Sequence, residues 1–194
     1  MLLQRSSAPL LTTAALTELT ALGHNRIAQI YLHWTAGRYG QFYDDYHFNI
    51  DADGSVYQTC KQLTDLKNHT WHRNSGAIGI ALCCAYGALP HNGIDTEFGN
   101  YPPTARQIDA AGKLVARLTL GLGLPIDVDT VMTHCEAALL DDYGPYSGDV
   151  ETRWDLWYVR DSPGDGLMKP GGEVIRGKAL WYAAYSVSRQ STIK

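Results

Sequence analysis

The spacing of apolar residues changes several times along the chain, and each change marks an element. Over residues 13–22 they fall at Leu16, Leu19 and Leu22 and stop at Gly23, which predicts a short amphipathic helix with a glycine C-cap. Residues 27–34 alternate, with Ala28, Ile30, Leu32 and Trp34 on one face and Gln29, Tyr31 and His33 on the other, so a strand ends in a histidine. Residues 46–51 and 55–59 flank Ala52-Asp53-Gly54, whose Asp-Gly pair favours positive φ and predicts a β-hairpin. Residues 78–84 form a near-continuous apolar run, as expected of a strand buried on both faces.

From Thr104 the period lengthens. Ile108, Ala111, Val115, Leu118 and Leu122 form one helical stripe, with Arg106, Asp109, Lys113 and Arg117 on the wet side. Pro102 and Pro103 open this helix, and Gly121, Gly123 and Pro125 close it. Residues 131–134 predict a short strand that again ends in a histidine. Residues 139–152, with four acidic residues, two tyrosines and two glycines, predict a long polar loop of the kind that carries function. Beyond Pro170-Gly171-Gly172, residues 173–188 predict a helix that is apolar on more than one side and therefore largely packed. With no internal repeat, the strands and helices describe one α/β (α+β) domain over residues 1–194, built on a central mixed β-sheet flanked by helices.

Composition narrows the function. The 194 residues, 45% hydrophobic and 19% charged, suffice for one core without disulfides. A net charge of −4 argues against a dedicated nucleic-acid binder, which needs a basic surface. No run approaches the ~20 apolar residues of a membrane span, so no membrane insertion is expected. The first residues, with one Arg and a short apolar stretch broken by Ser, Pro and Thr, make a poor signal peptide. The four cysteines, Cys60, Cys83, Cys84 and Cys135, show neither a CxxC pair nor disulfide-scaffold density and read as reduced, buried thiols.

Of seven histidines, His33 and His134 stand at the ends of predicted strands, where sites gather in open sheets. A catalytic zinc takes three protein ligands and keeps a fourth position for water, so a carboxylate would have to join the two imidazoles. Glu136, Asp141, Asp142, Asp149 and Asp155 are the candidates, and spacing does not choose among them. Cys135, next to His134 on a strand, would point the opposite way.

Four short motifs then occur in order: Leu32-His33-Trp34-Thr35-Ala36-Gly37; Tyr46-His47-Phe48-Asn49-Ile50 with Asp53-Gly54-Ser55-Val56-Tyr57; Trp71-His72 before Ile78-Gly79-Ile80; and Thr133-His134-Cys135-Glu136. Together they resemble the zinc-dependent N-acetylmuramoyl-L-alanine amidases, which include the phage lysozyme-type amidases and the peptidoglycan recognition proteins. The resemblance covers residues 27–157. It implies one Zn²⁺ at the strand ends, held by His33, His134 and Asp155, the last in an Arg153-Trp154-Asp155 frame. It implies catalytic roles for Tyr46, which would lean over the metal, and for Arg153, which stands where many members carry lysine. Trp34, Thr35, Trp71, His72 and Asn74 would line the substrate groove. Arginine for lysine at 153, and the 20 residues between His134 and Asp155, depart from the phage enzymes.

The reaction so implied is hydrolysis of the amide between N-acetylmuramic acid and L-alanine in peptidoglycan, with Glu136 or His72 as candidate acids for the leaving amine. Peptidoglycan is the expected partner. Two other classes remain open at this stage: a peptidoglycan-binding module without catalysis, and a glycoside hydrolase using a carboxylate pair such as Asp44 with Asp53. The expected setting is a protein made in the cytoplasm that acts on the periplasmic or extracellular wall. It would be a phage endolysin or an exported effector, the latter bringing an immunity or delivery partner.

Overall fold

The computed structural model describes residues 2–3, 8–148, 153–161 and 166–191. Its central sheet has five strands: β1 (Gln29–Trp34), β2 (Phe48–Ile50), β3 (Val56–Gln58), β4 (Ala77–Leu82) and β5 (Val131–Thr133), in the order β3-β2-β4-β1-β5. β1 runs parallel to β4 and β5, and β2 parallel to β4, while β2 and β3 pair antiparallel through the predicted hairpin. Gly54 takes φ 84° in that turn, a conformation that costs other residues dearly. The sheet is therefore mixed, with four helices among the described residues around it: α1 (Thr13–Gly23), α2 (Ala105–Leu122), α3 (His134–Leu140) and α4 (Gly171–Ser191). A hairpin of β6 (Tyr158–Arg160) and β7 (Met168–Pro170) leads into α4.

The two sheet faces differ in chemistry, and the difference positions the site. Ile30, Leu32, Ile78, Ile80, Leu82, Phe48, Ile50 and Val131 point to one side. There they join Leu16 and Leu19 of α1, Ile108, Val115 and Leu118 of α2, and Ile175 and Ala179 of α4 in the main core. Burial of such side chains is worth roughly 1.5–3 kcal/mol each and fixes the strand register. The alternate positions carry Tyr31 and His33 on β1, Asn49 on β2 and the small residues Ala77, Gly79 and Ala81 on β4. A smaller cluster of Tyr31, Ala77, Met132 and Ala137 forms on this side. Small residues in the middle strand leave room above the sheet for rings.

α2 starts at a capping box between Thr104 and Gln107 and ends at Gly123. The buried Gln107 also donates its side-chain amide to the carbonyls of Ile50 (2.9 Å) and Cys83 (3.1 Å), tying the helix start to two strand ends.

Four sequence expectations need correction. His134 does not end a strand: β5 stops at Thr133, which caps α3, and His134 is the first helical residue. Thr133 accepts from Glu136 N–H (3.1 Å) while Glu136 accepts from Thr133 N–H (2.8 Å), so α3 replaces the first part of the predicted 139–152 loop. Gly23 is not a left-handed cap; it lies in α1 where Leu63 and Leu122 press within 3.1 and 3.3 Å of a Cβ position, and Asn25 takes the positive φ instead. α4 packs on α2 along one side only, leaving Leu180, Trp181 and Tyr185 exposed. Among the described residues no helix is long and apolar enough to cross a membrane.

Candidate active site

On the polar face of the sheet, side chains distant in sequence converge. His33, the fifth residue of β1, is fully buried, and His134 is brought beside it because β5 pairs with β1 and ends in α3. Their Nδ1 atoms lie 3.2 Å apart, and Asp155 Oδ2 is 3.4 Å from each. These three residues form a group that could hold a metal ion, and among the described residues neither Cys135 nor Glu136, Asp141 or Asp142 belongs to it.

The triangle fits zinc on its own geometry. Ligands about 2.0–2.1 Å from a tetrahedral ion stand about 3.3 Å from one another, close to the spacing found here. Its electrostatics agree. Burial pushes the His33 imidazole down to about 4, the His134 ring adding to the shift and Asp155 opposing it, so His33 is neutral near pH 7. Burial would raise the Asp155 carboxyl, but hydrogen bonding to His134 and His33 outweighs it and holds the group ionised, well below the usual range. Two imidazoles and one carboxylate form a ligand set that zinc accepts.

Neighbouring groups set the ring orientations. His33 Nε2 lies 3.3 Å from Thr70 Oγ1, which lies 3.0 Å from His69 Nδ1. One consistent assignment has His33 Nε2–H donating to Thr70 and the Thr70 hydroxyl donating on to His69, which leaves the His33 Nδ1 lone pair facing the cluster. Asn74 Oδ1 accepts from the backbone N–H of His69 (3.1 Å) and Thr70 (2.8 Å), fixing the loop that carries them. His69 itself is buried, and burial first, then its histidine neighbours, lowers it to about 2. His47 is a fully paired structural histidine: Nδ1 accepts from Gly79 N–H and Nε2 donates to the Asp65 carbonyl, both at 3.0 Å.

Asp155 and His134 open into a cleft of ≈840 Å³. Tyr46 and Arg153 line it, the Tyr46 ring 5.1 Å from that of His33. Burial and then the Asp155 charge raise the Tyr46 phenol, so it stays protonated. Trp34, Thr35, Trp71 and Asn74 also line the cleft. His72 does not: at φ 57° the backbone turns it outward against Trp71, beside a shallower recess shared with Arg73 and Asp141.

The remaining carboxylates have other work. Glu136 accepts two bonds from Arg176 at 2.8 Å besides its capping bond, so it joins α3 to α4 instead of facing the cleft. Asp141 is paired with Arg73, Asp44 with Lys67, and Asp53 accepts from Ser55 N–H in the hairpin turn. Asp44 and Asp53 are not on the cleft wall, which removes the glycosidase pair. Asp149 lies outside the described residues. Residues that sequence reasoning missed are His69, Thr70 and Trp154, the last edge-on to Trp34 at 4.9 Å.

The family model for N-acetylmuramoyl-L-alanine amidase matches residues 23–149, well over half of the chain. The chain belongs to the N-acetylmuramoyl-L-alanine amidase family. The matched span carries His33, Tyr46 and His134 and stops before Arg153 and Asp155. Solved structures similar to this amidase-family chain include the N-acetylmuramoyl-L-alanine amidase LysC from Clostridium intestinale URNW, at 16% identity and TM-score 0.46 over 82% of this chain and 88% of that one. The endolysin amidase LysCS from the same organism is 16% identical at TM-score 0.39, over 58% and 71%. The peptidoglycan recognition protein PGRP-Hd from Alvinella pompejana is 20% identical at TM-score 0.39, over 56% and 73%. No curated protein sequence matches the chain.

Proposed function

We propose that this chain is a zinc-dependent peptidoglycan amidase that hydrolyses the bond between N-acetylmuramic acid and the L-alanine of the stem peptide. The observation that carries the reading is the triangle of His33 Nδ1, His134 Nδ1 and Asp155 Oδ2 at the floor of an open cleft. His33, His134 and Asp155 would hold one Zn²⁺, which when bound lowers the pKa of its water to about 7 and polarises a carbonyl.

The chain's own residues supply the rest. Thr70 and His69 hold His33 in the tautomer that presents Nδ1. Tyr46 keeps its proton and offers a neutral donor to the oxygen of the amide carbonyl, where negative charge develops. Arg153, exposed at the cleft wall, provides a permanent cation on the same side as Asp155. Trp34, Trp71 and Trp154 give the cleft flat apolar walls against which a sugar-peptide strand packs. With Glu136 bound to Arg176 and His72 outside the cleft, neither is placed to protonate the leaving amine. The biological setting that follows is action on the bacterial wall, as an endolysin or an exported effector.

The test is mass spectrometry of soluble products from purified sacculi digested with and without chelator. Free peptides beginning at L-alanine, lost on chelation and restored by zinc, are expected. Wall binding without released peptide would instead make the protein a recognition module, and new reducing ends would point to glycosidase chemistry.

A further inference from the structure

Three buried side-chain polar atoms lack a hydrogen-bond partner among the described residues: His69 Nε2, His134 Nε2 and Tyr143 Oη. All three belong to residues that line the cleft. Unpaired buried polar atoms are rare because they forfeit water without compensation, so their concentration around one cleft points to a ligand that pairs with them.

Tyr143 is the one among them that neither the metal triangle nor its support uses. It is 8% exposed, and its ring stands edge-on to Trp71 (5.6 Å, 89°) and to His134 (6.0 Å, 73°). The backbone fixes it from both sides: its N–H donates to the Ala138 carbonyl (2.9 Å) and its carbonyl accepts from Arg153 N–H (3.1 Å). Gly144 follows in a space where a Cβ would lie 2.8 Å from Leu139 N, so the turn after α3 has little freedom. Burial raises the phenol to about 12, and the hydroxyl is therefore a donor at any working pH. The indole edge-on to it belongs to Trp71, which is 60% exposed at the cleft, so its turning aside would leave the hydroxyl facing the cleft.

We propose that Tyr143 is a substrate-binding residue whose hydroxyl donates a hydrogen bond to a carbonyl oxygen of the stem peptide once Trp71 turns aside. Amide carbonyls are the acceptors that a stem peptide presents beside the bond to be cut, and Tyr143 adjoins His134 at that point. The inference rests on the peptidoglycan reading above.

The test compares wild type with Tyr143→Phe, which removes the oxygen alone, on a soluble disaccharide-peptide released from peptidoglycan by a muramidase. KM is expected to rise about tenfold with kcat within about twofold, the pattern of a lost binding contact. Tm is expected to stay equal or rise, because the variant no longer buries an unpaired hydroxyl. An unchanged KM overturns the proposal, and so does a fall in Tm, which would mean that the hydroxyl is paired within the protein. Should the zinc-loaded wild type not cleave, calorimetric binding of the same fragment decides: weaker binding by the variant supports the role of Tyr143 while the amidase reading fails, and equal binding overturns it. A wild type that neither cleaves nor binds overturns both, whereas wild-type cleavage with an unaffected variant overturns only the role of Tyr143.

Discussion

Gly79 and His69 are packed so closely that a Cβ on Gly79 would lie 2.6 Å from His69 Cδ2. The imidazole is hemmed in on the sheet side, where His33, His47 and Tyr31 stand at centroid distances of 5.3, 5.8 and 6.0 Å. Any shift of His69 carries Thr70, and Thr70 orients His33. Gly79→Ala is therefore expected to cost about 1–3 kcal/mol, as overpacking does, and to weaken zinc binding as well. Calorimetric melting and zinc titration check both; an unchanged melt with unchanged affinity would show that the ring has room.

Replacing His33, His134 or Asp155 by alanine is expected to abolish stoichiometric zinc binding and to cut sacculus hydrolysis at least about 100-fold, the upper end of what even outer partners of a metal contribute. Because an ion bound only by the folded state stabilises it, chelation should lower the melting temperature of wild type. The loss approaches about 4 kcal/mol when free zinc stands a thousandfold above its Kd. The alanine variants should show no such chelator response. Elemental analysis and paired melts read this out, and a variant that retains one zinc per chain would remove that residue from the ligand set.

Much of this was legible in the sequence, for physical reasons that differ by element. The alternation in residues 27–34 revealed one central strand by its period of two, and the near-continuous apolar run at 78–84 revealed another, because a strand buried on both faces has no polar side to show. The histidines at 33 and 134 stood out among the seven because both fall at the ends of predicted strands, where sites gather. The start of α3 was also written in the chain, as Thr133-x-x-Glu136, but the short apolar run before it hid the capping box. His69 gave no local signal: what selects it over His72 is the space above Ala77, Gly79 and Ala81, a property of the sheet and not of the loop. The exposed side of α4 was missed because apolar residues around a helix were equated with packing, while Trp181 and Tyr185 stack on each other at the surface.

Stability should fall in mild acid, and His47 is a principal reason. Burial first, and then Lys67, lowers its imidazole from 6.5 to about 4, against the opposing effect of the bond to the Asp65 carbonyl. Between those values the unfolded chain binds a proton that the folded chain refuses. The contribution is thus complete above pH 6.5 and disappears as pH falls to about 4, at most about 3 kcal/mol. His69, lowered further, acts in the same direction. His47→Gln, whose amide can accept from Gly79 and donate to Asp65, should flatten the denaturation profile between pH 6.5 and 4. A profile as steep as that of wild type would assign the acid sensitivity elsewhere.

Glu136 lies two residues beyond His134, yet its bonds make it a brace between α3 and α4. Glu136→Ala removes both its capping bond and its bonds to Arg176, and should destabilise the fold by about 2–4 kcal/mol. Zinc stoichiometry should remain one, because no ligand is lost. Loss of zinc from a variant that is still folded by circular dichroism would place Glu136 nearer to the metal than this arrangement allows.

Arg73 and Asp141 make the second brace, at the recess beside the cleft. Nε and Nη2 donate to the two carboxylate oxygens at 2.6 Å, and Arg73 holds the Asp141 carboxyl below its ordinary value. The pair joins the loop carrying His69, Thr70 and Trp71 to the residue that caps the end of α3. Both side chains are about three-quarters buried, so solvent screens the pair only in part. A double-mutant cycle of Arg73→Ala and Asp141→Ala in urea should give a coupling of roughly 1–2 kcal/mol. Arg73→Lys should recover little of it, since a point charge cannot reproduce two parallel bonds. With the loop released, Trp71 loses a fixed base and KM should rise more than kcat falls. If the two losses simply add, within about 0.3 kcal/mol, the pair is a surface contact without influence on the cleft.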